Sequence, residues 1–429
     1  MSVRYKKSEE LLARARKVIP LGAQTFSKSV TQYPPEISPF FATRGKGAHL
    51  WDIDGNEYID LVNALCAVTL GYVDPDVTRA VAEQMEQGTI YSLSHELETI
   101  VAEQIVAMVP SAEMVRFGKN GSDATAGAIR VARAHTGRDH VLACGYHGWQ
   151  DWYIGSTSRD KGVPAATKAL IQRFPYNDIA ALEAAIRERR DQVAAIILEP
   201  MNTEAPKPGY LEAVRAIASR ENIVLVFDEM ITGFRFANGG AQELFGVTPD
   251  LTTLGKGIAN GYPLSAVCGR RDLMMEMEEV FFSFTMGGET LSLAAAHATL
   301  AKLVREPVVA TMRRRGTRIV DGLRERIGRH RSEFFCSVSG DPTWSFFVLR
   351  DAPTASAWEL KTLLQQEMFV RGILMIGTHN MSYAHSDEDV DRVLAAYDEV
   401  LPILRDAAEN NALSQHLRCK PIVPLFKVR

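Results

Sequence analysis

The spacing of apolar side chains changes several times along the chain, and each change marks a different kind of element. Apolar residues at helical intervals predict a short amphipathic helix over residues 7–19. Residues 23–46 are broken by prolines and glycines, and we expect them to be irregular. Alternating apolar and polar residues then predict a β-hairpin over residues 49–60, with a two-residue turn that contains Gly55.

From about residue 75 the chain alternates between helices and strands, and two of the strands are apolar at every position. Such strands, with helices between them, predict an α/β fold with a mostly parallel sheet covered on both faces. Ligands bind beyond the carboxyl ends of strands in these sheets, which is where Glu199 and Asp228 stand. The predicted helices span residues 76–88, 94–109, 122–135, 179–190 and 208–219, and the predicted strands span 114–117, 140–143, 193–198 and 223–227.

After a predicted helix at 291–304, a basic helix from Arg313 to Arg331 leads into a second alternating region. Its strands are expected near 344–349 and 373–376 and its helices near 356–370 and 386–405, whereas residues 406–429 are weakly patterned. The chain therefore divides into an N-terminal segment that packs with the C-terminal domain (1–74), a large domain (75–310) and a smaller α/β domain (311–429).

The composition of the chain argues against several classes of function. The 429 residues include 46% hydrophobic and 23% charged side chains, as in ordinary globular proteins. A net charge of −4 argues against binding of nucleic acid, and no apolar stretch reaches the ~18 residues that a membrane span needs. The five cysteines are scattered without a Cys-x-x-Cys pair, which indicates reduced thiols in the cytoplasm and argues against a metal site.

Two groups carry the strongest chemical signal. The apolar run Ile223–Phe227 ends in Asp228, and Lys256 follows 28 residues later between two glycines. An enzyme that uses pyridoxal 5′-phosphate (PLP) needs such a pair, because a carboxylate keeps the pyridine nitrogen protonated and an amine forms the Schiff base. Taken singly, Lys256 is equally compatible with an exposed loop, and Asp228 with a helix cap or a salt bridge to Arg235.

Other segments add weaker signals. The turn Gly118–Ser122 before a predicted helix leaves backbone N–H groups and a hydroxyl that suit a phosphate. Tyr146 follows a strand and could stack on a planar cofactor, although a core aromatic cluster explains it as well. The glycines of Gly255–Gly261 lack the spacing of a dinucleotide fingerprint, which disfavours NAD.

Taken together, these residues resemble the class III PLP-dependent aminotransferases of fold type I, and are similar to the glutamate-1-semialdehyde 2,1-aminomutases within that class. The resemblance runs from about residue 7 to 400. It is carried by the ordered set Trp51–Asp60, Met114–Phe117, Asn120–Ala124, Tyr146–Gly148, Glu199–Pro200, Phe227–Met230, Thr232–Arg235 and Gly246–Lys256. It implies a large domain with a seven-stranded sheet, a smaller α/β domain and PLP as cofactor.

The resemblance also implies a role for each matching residue. Lys256 corresponds to the Schiff-base lysine and proton carrier, and Asp228 to the partner of the pyridinium. The implied cofactor contacts are Gly121 and Ser122 at the phosphate, Tyr146 and Met230 on the two ring faces, His147 in support, and Glu199 near the ring hydroxyl. Thr285 corresponds to a threonine that reaches the phosphate of a neighbouring subunit, which implies a homodimer with composite sites.

Departures from the aminomutase pattern lie on the substrate side. Lys28 stands where an arginine binds the substrate carboxylate, Leu65 replaces a tryptophan, and Glu289 lies in a segment that otherwise carries an Asn-Pro pair. We therefore expect a transaminase that uses a small-molecule amino donor, with glutamate as a candidate, and a carbonyl acceptor. Lys28 favours a sugar-derived or phosphorylated aldehyde or ketone. The alternative is the aminomutase itself, and a non-catalytic protein of the same fold is disfavoured.

Overall fold

The computed structural model describes residues 3–423, which divide into two compact units. The first unit combines the chain up to Cys66, the stretch Leu70–Asp74 and the chain from Ala310 onward, and the second combines Ala67–Thr69 with Pro75–Val309. The strands, β1 to β14, are Ala42–Lys46, His49–Asp52, Glu57–Asp60, Met114–Gly118, His140–Cys144, Ile171–Arg173, Val193–Leu198, Val224–Asp228, Leu251–Leu254, Ser265–Gly269, Cys336–Asp341, Trp344–Leu349, Ile373–Leu374 and Thr378–Asn380. The right-handed α-helices are Lys6–Ala15, Pro75–Gln87, Glu96–Met108, Gly121–Thr136, Asp151–Ile154, Ala165–Lys168, Ile179–Glu188, Tyr210–Arg220, Ala241–Phe245, Arg271–Met274, Thr290–Arg305, Val308–Arg329, Ala357–Val370, Asp387–Glu409 and Leu413–His416.

The second unit is built on a seven-stranded sheet in the order β4-β10-β9-β8-β7-β5-β6. Strand β10 is antiparallel to both of its neighbours, and the pairs from β9 to β6 are parallel. The prediction of a mostly parallel sheet is therefore confirmed. Strands β6, β9 and β10 were not predicted, because none of them is apolar throughout, and β6 and β9 have only three and four residues.

Side chains of the central strands alternate between the two faces of this sheet. Val224 and Val226 pack on the face covered by the helix Gly121–Thr136, whereas Leu225 and Phe227 pack on the opposite face. Because successive side chains of a strand point to opposite faces, Asp228 continues the first of these two sets. The core packing thus fixes the face on which the Asp228 carboxylate lies.

The first unit contains a four-stranded sheet in the order β1-β2-β3-β13 and a three-stranded sheet in the order β11-β12-β14. The hairpin β2–β3 is confirmed, but Trp51 pairs with Glu57, so the connecting loop is longer than the predicted two residues. Strand β1 overturns the expectation that residues 23–46 are wholly irregular, because it gains its hydrogen bonds from β2. The first helix ends at Ala15, earlier than predicted.

A left-handed turn follows β3. Asn63, Ala64, Leu65 and Cys66 all have positive φ, from 47° to 70°. This conformation costs a non-glycine residue roughly 1–2 kcal/mol, so the surroundings must hold it in place. The Asp60 carboxylate accepts hydrogen bonds from the N–H groups of Val62 and Asn63, at 2.8 and 2.9 Å.

Candidate active site

The carboxyl edge of the seven-stranded sheet gathers most of the predicted site residues. Strands β9, β8, β7 and β5 are adjacent and parallel, so they all end at this edge. Strand β4 runs in the same direction, since β10 is antiparallel to both β4 and β9. The residues that end or follow these strands are Lys256, Asp228, Glu199, Tyr146 with His147, and Gly121 with Ser122.

Asp228 and His147 form a buried pair at the centre of this edge. Nδ1 of His147 lies 2.7 Å from Oδ2 of Asp228, and Nε2 lies 3.1 Å from the carbonyl oxygen of Cys144. A carbonyl can only accept, so Nε2 carries a proton, and a second proton must lie between Nδ1 and the carboxylate. Asp228 is 3% exposed, and its partner is this imidazole rather than a helix end or Arg235.

Oδ1 of Asp228 has partners of its own. It accepts from the N–H of Met230 at 3.1 Å and from the Thr253 hydroxyl at 3.4 Å. Thr253 lies directly opposite Asp228 on β9. Sequence analysis missed this threonine, because its role depends on the register between two strands.

Aromatic rings fix the orientation of His147. The Trp152 ring stacks on the imidazole with a centroid separation of 6.4 Å, and the Tyr153 ring packs against it edge-on at 5.1 Å. Tyr153 also contacts the ring of Tyr146 at 5.7 Å. Neither Trp152 nor Tyr153 was predicted as a site residue, although both follow the Tyr146–Gly148 segment closely.

The helix Gly121–Thr136 begins at this edge with a capping box. Asn120 Oδ1 accepts from the N–H groups of Ser122 and Asp123, at 3.0 and 3.3 Å. The expectation of a row of free backbone N–H groups is therefore wrong for these two positions, where the sequence Asn-x-x-Asp already signalled a cap. Within residues 3–423, nothing accepts from the N–H of Gly121 or the hydroxyl of Ser122.

The surroundings of Ser122 are tight. The side chain is 7% exposed, and its Oγ accepts from the N–H of Trp149 at 3.2 Å. Gly148 has φ +103°, and a Cβ there would lie 2.3 Å from Ser122 Oγ. A hydroxyl buried at a helix start with an unused proton suits an anion such as a phosphate.

Met230 lies between two of the predicted segments. Its Sδ is 3.0 Å from the position a Cβ would take on Gly121, and 2.5 Å from that on Gly255. Lys256, the residue after Gly255, has φ +42°, in the left-handed region that non-glycine residues seldom adopt. Such strain is found at functional sites, where the surrounding structure imposes it.

Glu199 and Thr285, which were assigned to the cofactor, and Glu289, which was assigned to the substrate, differ in placement. Glu199 is 6% exposed, and its Oε2 accepts from the N–H of Tyr146 at 3.2 Å. Thr285 is exposed in an irregular segment. Glu289 is the N-cap of the helix Thr290–Arg305 and forms an ion pair with Lys119 at 3.0 Å, so protein donors occupy both of its carboxylate oxygens.

Lys28 and Leu65 belong to the first unit. Both line a cavity of about 490 Å³ whose walls come entirely from that unit. Leu65 stands on the left-handed turn, and Lys28 ends a short 3-10 helix, Phe26–Lys28.

Residues 3–423 lack two features that would indicate other classes of function. No helix there is both long and apolar enough to cross a membrane. No three histidine, cysteine or acidic side chains in that part of the chain are grouped so that they could hold a metal ion.

Comparison with known proteins gives one consistent result. Residues 32–379 match the family described as aminotransferase class-III. The chain is 37% identical to a glutamate-1-semialdehyde 2,1-aminomutase of Syntrophobacter fumaroxidans, over 84% of this chain and 89% of the relative. It is 33% identical to a 3-aminobutyryl-CoA aminotransferase of Cloacimonas acidaminovorans, over 92% and 96%.

A solved structure agrees with these relatives. The FumI protein of Sphingopyxis sp. MTA144, in a PLP form, superposes with a TM-score of 0.87 at 30% identity, covering 95% of this chain and 98% of that one. The fold, the arrangement at the sheet edge and the family match point the same way. The chain therefore belongs to the class III aminotransferases, and it is an enzyme whose cofactor is pyridoxal 5′-phosphate.

Proposed function

We propose that this enzyme is a transaminase that moves an amino group from a small-molecule donor to a separate carbonyl acceptor. The observation that carries the proposal is the meeting of Lys256, Asp228 and the start of the helix Gly121–Thr136 at one sheet edge. These three features are an amine, a buried carboxylate and an anion cradle, which match the aldehyde, the ring nitrogen and the phosphate of PLP.

The residues present fit the cofactor. The unused donors at Gly121 and Ser122 would bind its phosphate, and Asp228 would hold a proton on its ring nitrogen. Tyr146 and Met230 would enclose the ring, with Glu199 near its hydroxyl. When bound, PLP supplies an electron sink for the carbon that carries the amine.

The protein's own contribution is mainly the handling of protons. Lys256 is proposed to take the proton from the donor carbon that bears the amine and, in the second half of the reaction, to deliver a proton to the former carbonyl carbon of the acceptor, because its amine can accept and release a proton at the same place. The contact with His147 holds the Asp228 carboxylate in one orientation at the sheet edge. Lys28 and Leu65 are the proposed substrate residues, whereas Glu289, whose carboxylate oxygens already accept from protein donors, is proposed to fix the start of the helix Thr290–Arg305.

The proposed acceptor is an aldehyde or ketone that carries a negative charge, with sugar-derived and phosphorylated compounds as the class to test first. A lysine at position 28 serves as a point charge for an anion, whereas an arginine would make a planar two-point contact with a carboxylate. Glutamate is the donor proposed for the first test. The cytoplasm remains the proposed location, supported by five free thiols.

A homodimer with composite sites is proposed from the segment around Thr285. This segment is rich in exposed apolar side chains, with Phe281 79% and Met286 50% exposed. A second copy of the chain would cover them, since large apolar groups clustered on a surface mark an interface. Thr285 would then reach the phosphate bound by the partner copy.

The second candidate function is the aminomutase reaction, which moves the amine within one molecule. The 37% identity to an aminomutase favours it, and the replacements at Lys28 and Leu65 speak against it. Feeding glutamate-1-semialdehyde and measuring 5-aminolevulinate decides between the two.

The main test is a screen of ¹⁵N-labelled amino donors against carbonyl acceptors. Transfer of the label to a second molecule, with loss of transfer in Lys256→Ala, is the expected result. If no donor changes the absorbance of the bound cofactor, or if the label never leaves its original carbon skeleton, the transaminase proposal fails.

A further inference from the structure

Ser265 is a buried serine at the same edge of the seven-stranded sheet. It begins β10 and pairs with Gly118, the last residue of β4. On its other side β10 is flanked by β9. Ser265 therefore lies between the strand that leads to the helix Gly121–Thr136 and the strand that leads to Lys256.

The side chain of Ser265 lies on the face of the sheet that this helix covers. Successive side chains of a strand point to opposite faces, so Ser265 shares a face with Val267. Val267 packs in one hydrophobic cluster with Ala124 and Ala128 of the helix. Asp228 lies on this face as well, so the hydroxyl, the carboxylate and the start of the helix share one face at one edge.

The hydroxyl of Ser265 is not used by the protein. Ser265 is 0% exposed, and within residues 3–423 its Oγ has no hydrogen-bond partner. A buried hydroxyl without a partner costs free energy. A ligand that accepts a hydrogen bond from Ser265 would remove that cost.

A neighbouring acid is already engaged elsewhere. Ser265 Oγ lies 2.6 Å from the position that a Cβ would take on Gly118, and Asp123 Cβ lies 3.1 Å from the same position. Asp123 is in the first turn of the helix, and its Oδ2 accepts from the N–H groups of Lys119 and Asn120 at 3.0 and 2.9 Å. Ser265 thus stands beside the helix start without belonging to its capping box.

We propose that Ser265 donates a hydrogen bond to the phosphate of the bound cofactor, as a further donor beside the Gly121 N–H and the Ser122 hydroxyl. The inference rests on the proposed function, which places that phosphate at the start of the helix. A phosphate offers three acceptor oxygens, and hydrogen bonds to a charged acceptor are stronger than those between neutral groups.

The first test compares PLP with pyridoxal, which lacks the phosphate, in titrations of the full-length apoenzyme followed by absorbance. The ratio of the Kd for pyridoxal to the Kd for PLP measures what the phosphate contributes. Ser265→Ala should lower this ratio about tenfold or more, the effect of losing a hydrogen bond to a charged group. Because both ligands are compared within one variant, a general loosening of the fold cancels from the ratio.

Ser111→Ala is the matched control. Ser111 is another buried serine of the second unit, and it precedes β4 at the end opposite Gly118. Its hydroxyl makes a 2.8 Å hydrogen bond with the Thr252 hydroxyl. The control should leave the ratio unchanged and lower the Tm of the apoenzyme, whereas Ser265→Ala should not lower that Tm, because its hydroxyl has no hydrogen bond to lose.

A second measurement observes the phosphate itself. The ³¹P resonance of PLP in the holoenzyme should shift in Ser265→Ala and keep its wild-type position in Ser111→Ala. Ser265→Gly also removes the hydroxyl, and it takes the place of Ser265→Ala in both measurements if the alanine variant does not fold. If the ratio is unchanged, or if the ³¹P resonance stays at its wild-type position, the Ser265 proposal is overturned.

Ser122→Ala separates this inference from the proposed placement of the phosphate. If Ser122→Ala lowers the ratio and Ser265→Ala does not, the Ser265 proposal fails alone. If only Ser265→Ala lowers it, the contact of Ser265 stands and the assignment of Ser122 fails, and if neither does, both fail. These are binding measurements, so failure of the label-transfer screen would refute the transaminase reaction without changing either result.

Discussion

The imidazole of His147 and the carboxylate of Asp228 are joined by a 2.7 Å contact in which both side chains are almost wholly buried. The two residues are 81 positions apart in the sequence. They come together because β5 and β8 lie on either side of β7 in the sheet. A buried carboxylate needs hydrogen-bond donors, and this one also takes its alignment from the imidazole.

Removal of this donor tests the pair. His147→Leu should lower kcat by roughly tenfold to a hundredfold, because Asp228 loses a hydrogen bond to a charged group. The pH dependence of the cofactor absorbance should shift in the same variant, which a purely structural defect would not cause. His416→Leu is the control, since it breaks a histidine–aspartate contact of the same 2.7 Å length at the surface. Equal effects of the two substitutions would contradict the role given to His147.

Lys256 should be indispensable for turnover. Lys256→Ala removes the amine that accepts and releases the proton, and we expect steady-state activity to fall by about a thousandfold or more. Cofactor binding should survive in part, because the phosphate and ring-nitrogen contacts remain. Lys207→Ala, at an exposed lysine of the same unit, should be neutral. Normal steady-state rates in Lys256→Ala would refute the assignment.

The packing of Gly148 against Ser122 predicts that alanine at position 148 weakens cofactor binding, whereas alanine at position 162 does not. Gly148→Ala would place a Cβ 2.3 Å from Ser122 Oγ, so the hydroxyl would have to move and cofactor affinity should fall about tenfold or more. Gly162→Ala is the matched control, because Gly162 also has a positive φ but no atom lies within 4 Å of its Cβ position. Both variants should lose some stability through the positive φ, and Gly148→Ala should lose more, because its Cβ would also lie 3.0 Å from Cβ and 3.1 Å from Cα of Ser122. A normal cofactor Kd in Gly148→Ala would show that Ser122 does not bind the phosphate.

Glu289 caps the helix Thr290–Arg305, so its substitutions should separate charge from hydrogen bonding. Glu289→Ala should cost about 1 kcal/mol of stability through the lost cap, whereas Glu289→Gln keeps an acceptor and should cost less. We expect neither variant to change the preference among substrates, because protein donors already occupy both oxygens. Chemical denaturation and kcat/KM for two acceptors would check this, and a changed preference in Glu289→Gln would assign the residue to the substrate.

Two buried histidines of the first unit predict a loss of stability in weak acid. Burial lowers the pKa of both His379 and His385 to about 4, below the ordinary value of 6.5. The unfolded chain therefore binds more protons between these values, so stability is complete above pH 6.5 and is lost as pH falls toward 4. Each group contributes roughly 3 kcal/mol over that interval.

The measurement is Tm as a function of pH for wild type and His379→Gln. The difference between the two proteins isolates one imidazole from the carboxylates that titrate nearby. The wild type should lose more stability than the variant between about pH 6.5 and 4.5. Parallel curves would contradict the assignment to His379.

Sequence reasoning recovered the large sheet and the main chemical groups because their signal is local. A strand that is apolar at every position, such as Val193–Leu198, can be recognised from its own residues. Strand β9 contains Thr252 and Thr253, and it adopts an extended form through its neighbours β8 and β10. Its absence from the prediction reflects tertiary context rather than composition.

The features that were missed depend on partners distant in the chain. Nothing in the sequence around Ala64 and Leu65 favours a left-handed turn. Asp60 holds the turn from nearby by accepting from the Val62 N–H. Asn380, more than 300 positions away, holds it by donating a 2.6 Å hydrogen bond to the Val62 carbonyl. The contact of Thr253 with Asp228 likewise needs the register of two strands. The Asn120 cap was different, because its Asn-x-x-Asp signal was visible in the sequence and was not used.

Strand β10 has a consequence for how the enzyme is made. Ser265 of β10 pairs with Gly118 of β4, the strand that leads into the phosphate-binding helix. The ribosome releases β4 long before β10 exists, so the nascent chain carries an unpaired strand edge through most of the synthesis of the second unit. A ribosome-bound fragment that stops before residue 265 should therefore fail to capture vitamin B6 and should depend on chaperones, whereas one that extends past the helix ending at Arg305 should capture it.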